Sequence, residues 1–361
     1  MSASKHHAVA SIGCGRDHTL ALLTTGKVFG WGGDGSGRVP SDTPEYCSTL
    51  KAPTGAVELN TQQKLISVTA GHGVSLGITV ENQVVVWGSN AAGIGGRLSS
   101  VALATPQQVE NISDARTVTA AEFSFGAINF DGTVFTWGLN HDGALGRPSS
   151  HFNAIPGRVS SIPAASQLVS GKGYMVALTR DGQLYAWGDN AAGQLGLGHL
   201  YSVASPQPLP VERRFGSVDA GATHTLAVTT EGEVFAWGSN NHGQLGQSTI
   251  RYSAAPVQVK LPTRVKTVAA GMHFSLALGE GGEVYAWGWN AQGQLGLNDR
   301  NDRHTVTQVR PLEHVQMIAA GETHAAAITA GRLWGWGNNA FGQIGLASRQ
   351  QLSPTVFFAL G

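Results

Sequence analysis

Gly221-Ala222-Thr223-His224-Thr225-Leu226-Ala227-Val228 leads through Glu231-Gly232 into Glu233-Val234-Phe235-Ala236-Trp237-Gly238, and then to Asn240 and Gly243-Gln244-Leu245-Gly246. Thr225-Leu226-Ala227-Val228 predicts a strand of small apolar residues. Glu231-Gly232 predicts a turn, and the next five residues, an acid followed by four apolar residues, read as a strand. Val218-Asp219-Ala220 precedes this unit as a further strand. Pro256-Val257-Gln258-Val259 follows it as an outer strand, where a missing N–H is tolerated.

The unit recurs along the chain. Trp-Gly pairs begin at Trp31, Trp87, Trp137, Trp187, Trp237, Trp287 and Trp336, spaced by 56, 50, 50, 50, 50 and 49 residues. Sixteen residues before the first six lie Gly15, Gly71, Ala121, Gly171, Gly221 and Gly271, while Gly321 stands 15 before Trp336. Seven units of about four strands predict an all-β, seven-bladed β-propeller of four-stranded antiparallel blades, a single domain over residues 1–361. The last copy stops seven residues after Pro354, and Ala8 to Gly15 supply eight more. The C-terminal strand Thr355-Val356-Phe357-Phe358 is therefore expected to pair into the N-terminal blade and close the ring. Such closure removes exposed sheet edges.

Composition narrows the function. Of 361 residues 49 are Gly, 42% are hydrophobic and only 13% are charged. That is ample core material with a sparsely charged surface, and it excludes a disordered chain. Lys plus Arg equals Asp plus Glu at 23 each, so no broad basic field for nucleic acid is expected. No signal peptide or membrane-spanning run is readable, and residues 1–7 read as a mobile tail. Two cysteines, Cys14 and Cys47, do not make a disulfide framework. The expectation is a cytoplasmic monomer with no cofactor, no metal and no membrane contact.

Common chemical motifs fail on their context. Gly30-Trp31-Gly32-Gly33-Asp34-Gly35 matches the spacing of a dinucleotide loop, but Ser36-Gly37-Arg38-Val39-Pro40 cannot begin the helix that loop needs. His6 and His7 lack companion ligands, and Asn111-Ile112-Ser113 matters only in a secreted chain. No covalent catalysis is expected.

The pattern Ala-Gly-x-x-His-Thr-Leu-Ala, a glycine turn, then Val-Phe-Ala-Trp-Gly-x-Asn-x-x-Gly-Gln-Leu-Gly resembles the regulator of chromosome condensation repeat. It is carried by Gly221 to Gly246 and, with departures, by Gly271 to Gly296 and Gly321 to Gly345. The resemblance spans nearly the whole chain and implies a seven-bladed propeller. Some members exchange guanine nucleotide on the GTPase Ran, and others are scaffolds, light sensors or secreted inhibitors. It thus carries the fold more firmly than the function.

Recurring residues read as scaffold: the seven Trp-Gly pairs between blades, Asn90, Asn140, Asn190, Asn240, Asn290 and Asn338 in their own turns, and His18, His224 and His324 in one shared slot. Two slots after each small residue vary instead: Arg16-Asp17, His72-Gly73, Glu122-Phe123, Lys172-Gly173, Ala222-Thr223, Met272-His273 and Glu322-Thr323. Propeller symmetry places these on one rim, and their mixed chemistry suits a protein-binding surface. The candidate rim comprises Arg16, Asp17, His72, Glu122, Phe123, Lys172, Tyr174, Met272, His273 and Glu322. Tyr174 is included because it replaces the slot histidine.

In exchange factors of the family, an acid just before the slot histidine belongs to the functional set, which the resemblance maps onto Asp17 before His18. The other six blades carry no acid there. The first repeat holds six extra residues, with Arg38 and Tyr46 as insertion-loop candidates, where family exchange factors place a wedge in a different blade. The expected function is a protein–protein interaction propeller with a protein partner. Guanine-nucleotide exchange on a Ran-like small GTPase is the alternative. A light sensor lacks Trp in the variable slots and a hydrolase lacks its residues, while the zero net charge disfavours a chromatin binder and the unread export signal a secreted inhibitor.

Overall fold

A computed structural model describes residues 8–33, 57–59, 61, 63–89 and 103–359. Residues 1–7, Arg38, Tyr46 and Asn90 lie outside them. Seven four-stranded antiparallel sheets form the blades of a β-propeller, and each is built from four consecutive strands. The fifth blade shows the plan, with strands Phe215–Ala220, His224–Thr229, Val234–Ser239 and Tyr252–Val259. In its central hairpin Thr225 faces Trp237 and Ala227 faces Phe235. Gly232, at φ +83°, supplies the left-handed turn residue between the two strands.

The buried tryptophans hold neighbouring blades together. All seven are 0% exposed. The indole N–H of Trp237 donates to the Gln194 carbonyl in the preceding blade at 2.9 Å, and Trp287 repeats this with Gln244 at 2.8 Å. The glycine after Trp237 is obligatory: Gly238 has φ +102°, and a Cβ there would meet the Thr223 carbonyl at 2.4 Å. Asn240 folds the following loop, accepting from the Leu245 N–H at 2.8 Å and donating to Gln247 and Ile250 carbonyls.

The slot histidines are scaffold too. His18 Nε2 pairs with Ser75 Oγ at 2.9 Å, His224 with Ser275 at 3.0 Å, and His324 with Thr19 at 2.9 Å, always in the next blade. Where the slot is apolar Phe274, the corresponding residue of the next blade is Ala325, in the same core cluster. These polar slots thus meet a hydroxyl and this apolar slot meets a methyl, so each junction is matched in polarity.

Closure differs from the expectation. The C-terminal strand Gln350–Ala359 pairs with Arg332–Asn338 of the seventh blade, and Val9–Cys14 pairs with His18–Leu23 of the first. The interval from each proline to the next small residue bridges two blades: it leaves an outer strand and enters the next inner one. Counting across the termini therefore completes a connection, not a sheet. The seam closes by the His324–Thr19 and Glu322–Gly15 hydrogen bonds and by packing, with Phe357 edge-on to Trp31 at 5.1 Å and Phe358 at 5.4 Å. Ala21, Ile328 and Leu333 are buried in the same cluster.

The seventh blade is also one residue short for a local reason. Ala330 (φ 42°) and Gly331 (φ 78°) make a two-residue hairpin between Thr329 and Arg332, the turn that needs two left-handed residues. Its loop asparagine is Asn339, not Asn338, because Asn339 Oδ1 accepts from the Ile344 N–H at 2.9 Å as Asn240 does from Leu245.

Candidate protein-binding face

Inner strands converge on the central channel, and their ends carry the variable slots. The slot N–H groups link one blade to the next. Lys172 donates to the Ala222 carbonyl at 3.2 Å, Ala222 to Met272 at 3.2 Å, Met272 to Glu322 at 3.1 Å and Glu322 to Gly15 at 3.1 Å. Arg16 and His72 continue this belt to Gly71 and Ala121 at 3.3 and 3.4 Å. Gly221 must be glycine here, since a Cβ would lie 2.4 Å from the Gly271 carbonyl and 2.3 Å from the His224 ring. The belt fixes the slot backbones and surrounds a cavity of about 620 Å³.

The first residue of each slot pair lines this cavity: Arg16, His72, Glu122, Lys172, Ala222, Met272 and Glu322. Methyls of Ala70, Ala120, Ala220, Ala270 and Ala320 line it as well, together with Cys14. Burial pushes the Cys14 thiol up to about 12, so it stays protonated and is a poor nucleophile. On the fifth inner strand, burial pushes the Asp219 carboxyl up to about 6 although it accepts the Ala270 and Ala220 N–H groups at 2.8 and 2.9 Å.

The rim charges are internally paired. Arg16 donates to His72 Nε2 at 2.6 Å, which leaves the His72 proton on Nδ1 to donate to Glu322 at 2.8 Å. Lys172 lies 3.3 Å from Glu122. Apolar surface stands among them. Phe123 is 38% exposed with its ring 5.9 Å from that of His72, and Phe341 is 42% exposed at the cavity edge.

Two candidates do not belong to an open rim. Tyr174 is fully buried, and its hydroxyl donates to the carbonyls of Gly221 and His224 at 3.0 and 2.6 Å. It occupies the interblade slot of the scaffold histidines, so its variation reflects packing. Asp17 is only 7% exposed, with a carboxylate oxygen 3.7 Å from His18 Nδ1. His273 is half-buried; burial, and then neighbouring His242, lowers its pKa. Among the described residues, no group of three or more His, Cys, Asp or Glu could hold a metal ion, and no helix is long and apolar enough to cross a membrane.

A model of the RCC1-like domain matches residues 48–360, and one of the regulator of chromosome condensation (RCC1) repeat matches residues 9–38. The chain belongs to the RCC1-like domain family. Over 102 residues it is 32% identical to a probable E3 ubiquitin-protein ligase, HERC6 of Homo sapiens, covering 28% of this chain and 10% of that protein. Over 114 residues it is 30% identical to the ultraviolet-B receptor UVR8 of Arabidopsis thaliana, covering 31% and 25%. Over 108 residues it is 37% identical to the secretion-regulating guanine nucleotide exchange factor of Bos taurus, covering 28% and 22%. The matched segments therefore span a quarter or less of these relatives' length.

Solved structures agree on the fold. Human WBSCR16 superposes with a TM-score of 0.81 at 24% identity over 92% of this chain and 94% of its own. Prp20p of Saccharomyces cerevisiae, studied for binding to Gsp1p and histones, gives 0.76 at 22% over 86% and 80%.

Sequence reading of this RCC1-like propeller missed three residues on the slot face: Trp289, His242 and Phe341. Their signal was visible in register. The position two beyond each repeat Trp holds Gly33, Ser89, Leu139, Asp189, Ser239, Trp289 and Asn338, so Trp289 stands out. The residue before the loop glycine holds Asp142, Ala192, His242, Gln292 and Phe341. The loop carrying His242 leans over the following blade, where its ring meets His273, whereas Trp289 stands just past the third strand of the same blade as His273.

Proposed function

We propose that the protein is a docking platform, without covalent chemistry of its own, that takes a partner protein against the cavity mouth. The observation that carries this reading is the exposed Phe123, beside His72, and the exposed Phe341, at the cavity edge, set among the paired charges of the slot face. Aromatic anchors on a preorganised surface lose little conformational freedom on binding. The reading is supported by Prp20p, studied for binding Gsp1p and histones.

The test is affinity capture with three proteins: wild type, Phe123→Ser/Met272→Ser/Phe341→Ser, and Val80→Ser/Phe130→Ser. Val80 and Phe130 are exposed at the far end of the second strands, on the opposite face. A partner retained by the opposite-face variant and lost by the mouth variant supports the reading. The reverse result refutes it.

Exchange on a Ran-like small GTPase is the narrower form, favoured by the relative named as a guanine nucleotide exchange factor. The mouth would hold the nucleotide-free GTPase more tightly than the loaded form, which lowers the barrier to GDP release. With Asp17 buried, contact falls to exposed Arg16, Lys172, Phe123 and Phe341. Release of fluorescent GDP should accelerate with wild type and not with the mouth variant. No acceleration across a panel of small GTPases rejects exchange.

A further inference from the structure

Three rings gather on the slot face over the fifth and sixth blades. His242 and His273 stack 5.4 Å apart at 26°, and Trp289 lies 5.8 and 6.1 Å from them. The backbone N–H of Trp289 donates to the His273 carbonyl at 2.9 Å, which holds this residue beside that slot. His242 arrives from the loop of the fifth blade, where its N–H donates to Gln244 Oε1 at 2.9 Å. All three residues are half-buried.

Two carboxylates flank the rings. Asp302 accepts from His242 Nδ1 at 2.9 Å and from the Asn290 N–H at 2.8 Å. Glu322 sits next to Met272 in the belt and acts electrostatically on His273. Lys172 also reaches His273 electrostatically but lies 3.3 Å from Glu122.

We propose that this sector binds an arginine side chain of the partner protein, its guanidinium laid against Trp289, His273 and His242 and paired with Glu322 and Asp302. The site rests on the mouth-face reading and gives it a chemistry. Indole and imidazole faces attract a cation, and the planar, weakly hydrated guanidinium stacks on them while its edge still donates to carboxylates. A compact, strongly hydrated ammonium fits less well, and an anion is repelled by both acids. Glu322 also accepts from His72 at 2.8 Å and Asp302 from His242 at 2.9 Å, so the incoming guanidinium joins two carboxylates whose present side-chain partners are imidazoles, while Arg16 and Lys172 stand on other blades.

The test titrates wild-type protein with acetyl-Gly-Arg-Gly-amide and with its citrulline counterpart, which keeps the shape and lacks the charge. The readout is the indole N–H resonance of Trp289, assigned by its loss in Trp289→Phe. The expected result is a saturable shift with the arginine peptide, at least tenfold weaker binding of the citrulline peptide, and at least fivefold weaker arginine binding in Glu322→Gln/Asp302→Asn. No saturable shift, or equal binding of both peptides, overturns the site. If that happens while the mouth variant still loses its partner in the capture experiment, the arginine site falls and the mouth-face reading stands.

Discussion

Acidification should loosen the ring at its interblade histidines. Burial first, then His273, holds His224 down to about 3; burial first, then His18, does the same for His324. Both must therefore stay neutral in the folded protein while their unfolded counterparts protonate near 6.5. A depressed folded value means this stability is complete above about pH 6.5 and is lost as pH falls toward 3. Each histidine costs about 1.4 kcal/mol per pH unit in that window, so the pair removes about 5 kcal/mol between pH 6.5 and 4.5.

Asp219 opposes them. Its folded value is raised to about 6, so its contribution is complete below about pH 3.8 and disappears as pH rises through 6. On acidification to pH 4.5 it returns about 2 kcal/mol, which leaves a net loss of about 3 kcal/mol. The histidines win, because two groups titrate over a wider window than one. The measurement is urea unfolding at pH 7.5, 6.5, 5.5 and 4.5, with a check that the slope on denaturant stays constant. The matching variant, His224→Phe/Ser275→Ala/His324→Phe/Thr19→Ala, copies the Phe274 and Ala325 couple that the sixth junction already uses. It should flatten the pH dependence or reverse its sign. A wild type equally stable at pH 4.5 and 7.5, or a variant with an undiminished acid loss, refutes the reasoning.

Trp237→Ala should cost about 3–5 kcal/mol by urea unfolding, since it opens a cavity between two blades and leaves the Gln194 carbonyl without its indole donor. Tyr174→Phe should cost about 1–3 kcal/mol by removing the buried hydroxyl that serves the Gly221 carbonyl, while the His224 carbonyl keeps its Gly221 N–H donor, with no change in partner capture because the residue is not on the surface. Phe357→Ala should cost about 2 kcal/mol in urea unfolding, less than a fully buried phenylalanine because the ring is half-buried, and its loss should open the seam against Trp31.

Seven Trp-Gly pairs at near-constant spacing made the propeller legible, because a unit of that length cannot bury its own sheet face without neighbours. The slots were legible as well, since they vary in chemistry while the Gly and Trp positions around them recur. Tyr174 misled because its class differs from histidine, although its slot does not. The seam misled because residue counting does not tell a strand from the connection that follows it. The Trp289, His273 and His242 cluster is assembled by a loop that crosses from one blade onto the next. That proximity is absent from a reading that treats each repeat alone.

The central claim is that the mouth of the channel, and not the opposite face, receives the partner. Placing the photo-crosslinking residue p-benzoylphenylalanine at Phe341 in one protein and at Phe130 in another, then irradiating each with the captured partner, asks this directly. Both positions are exposed, at 42% and 47%, so the comparison is even. A covalent adduct from position 341 and none from position 130 is the predicted result. An adduct from position 130 alone contradicts the account.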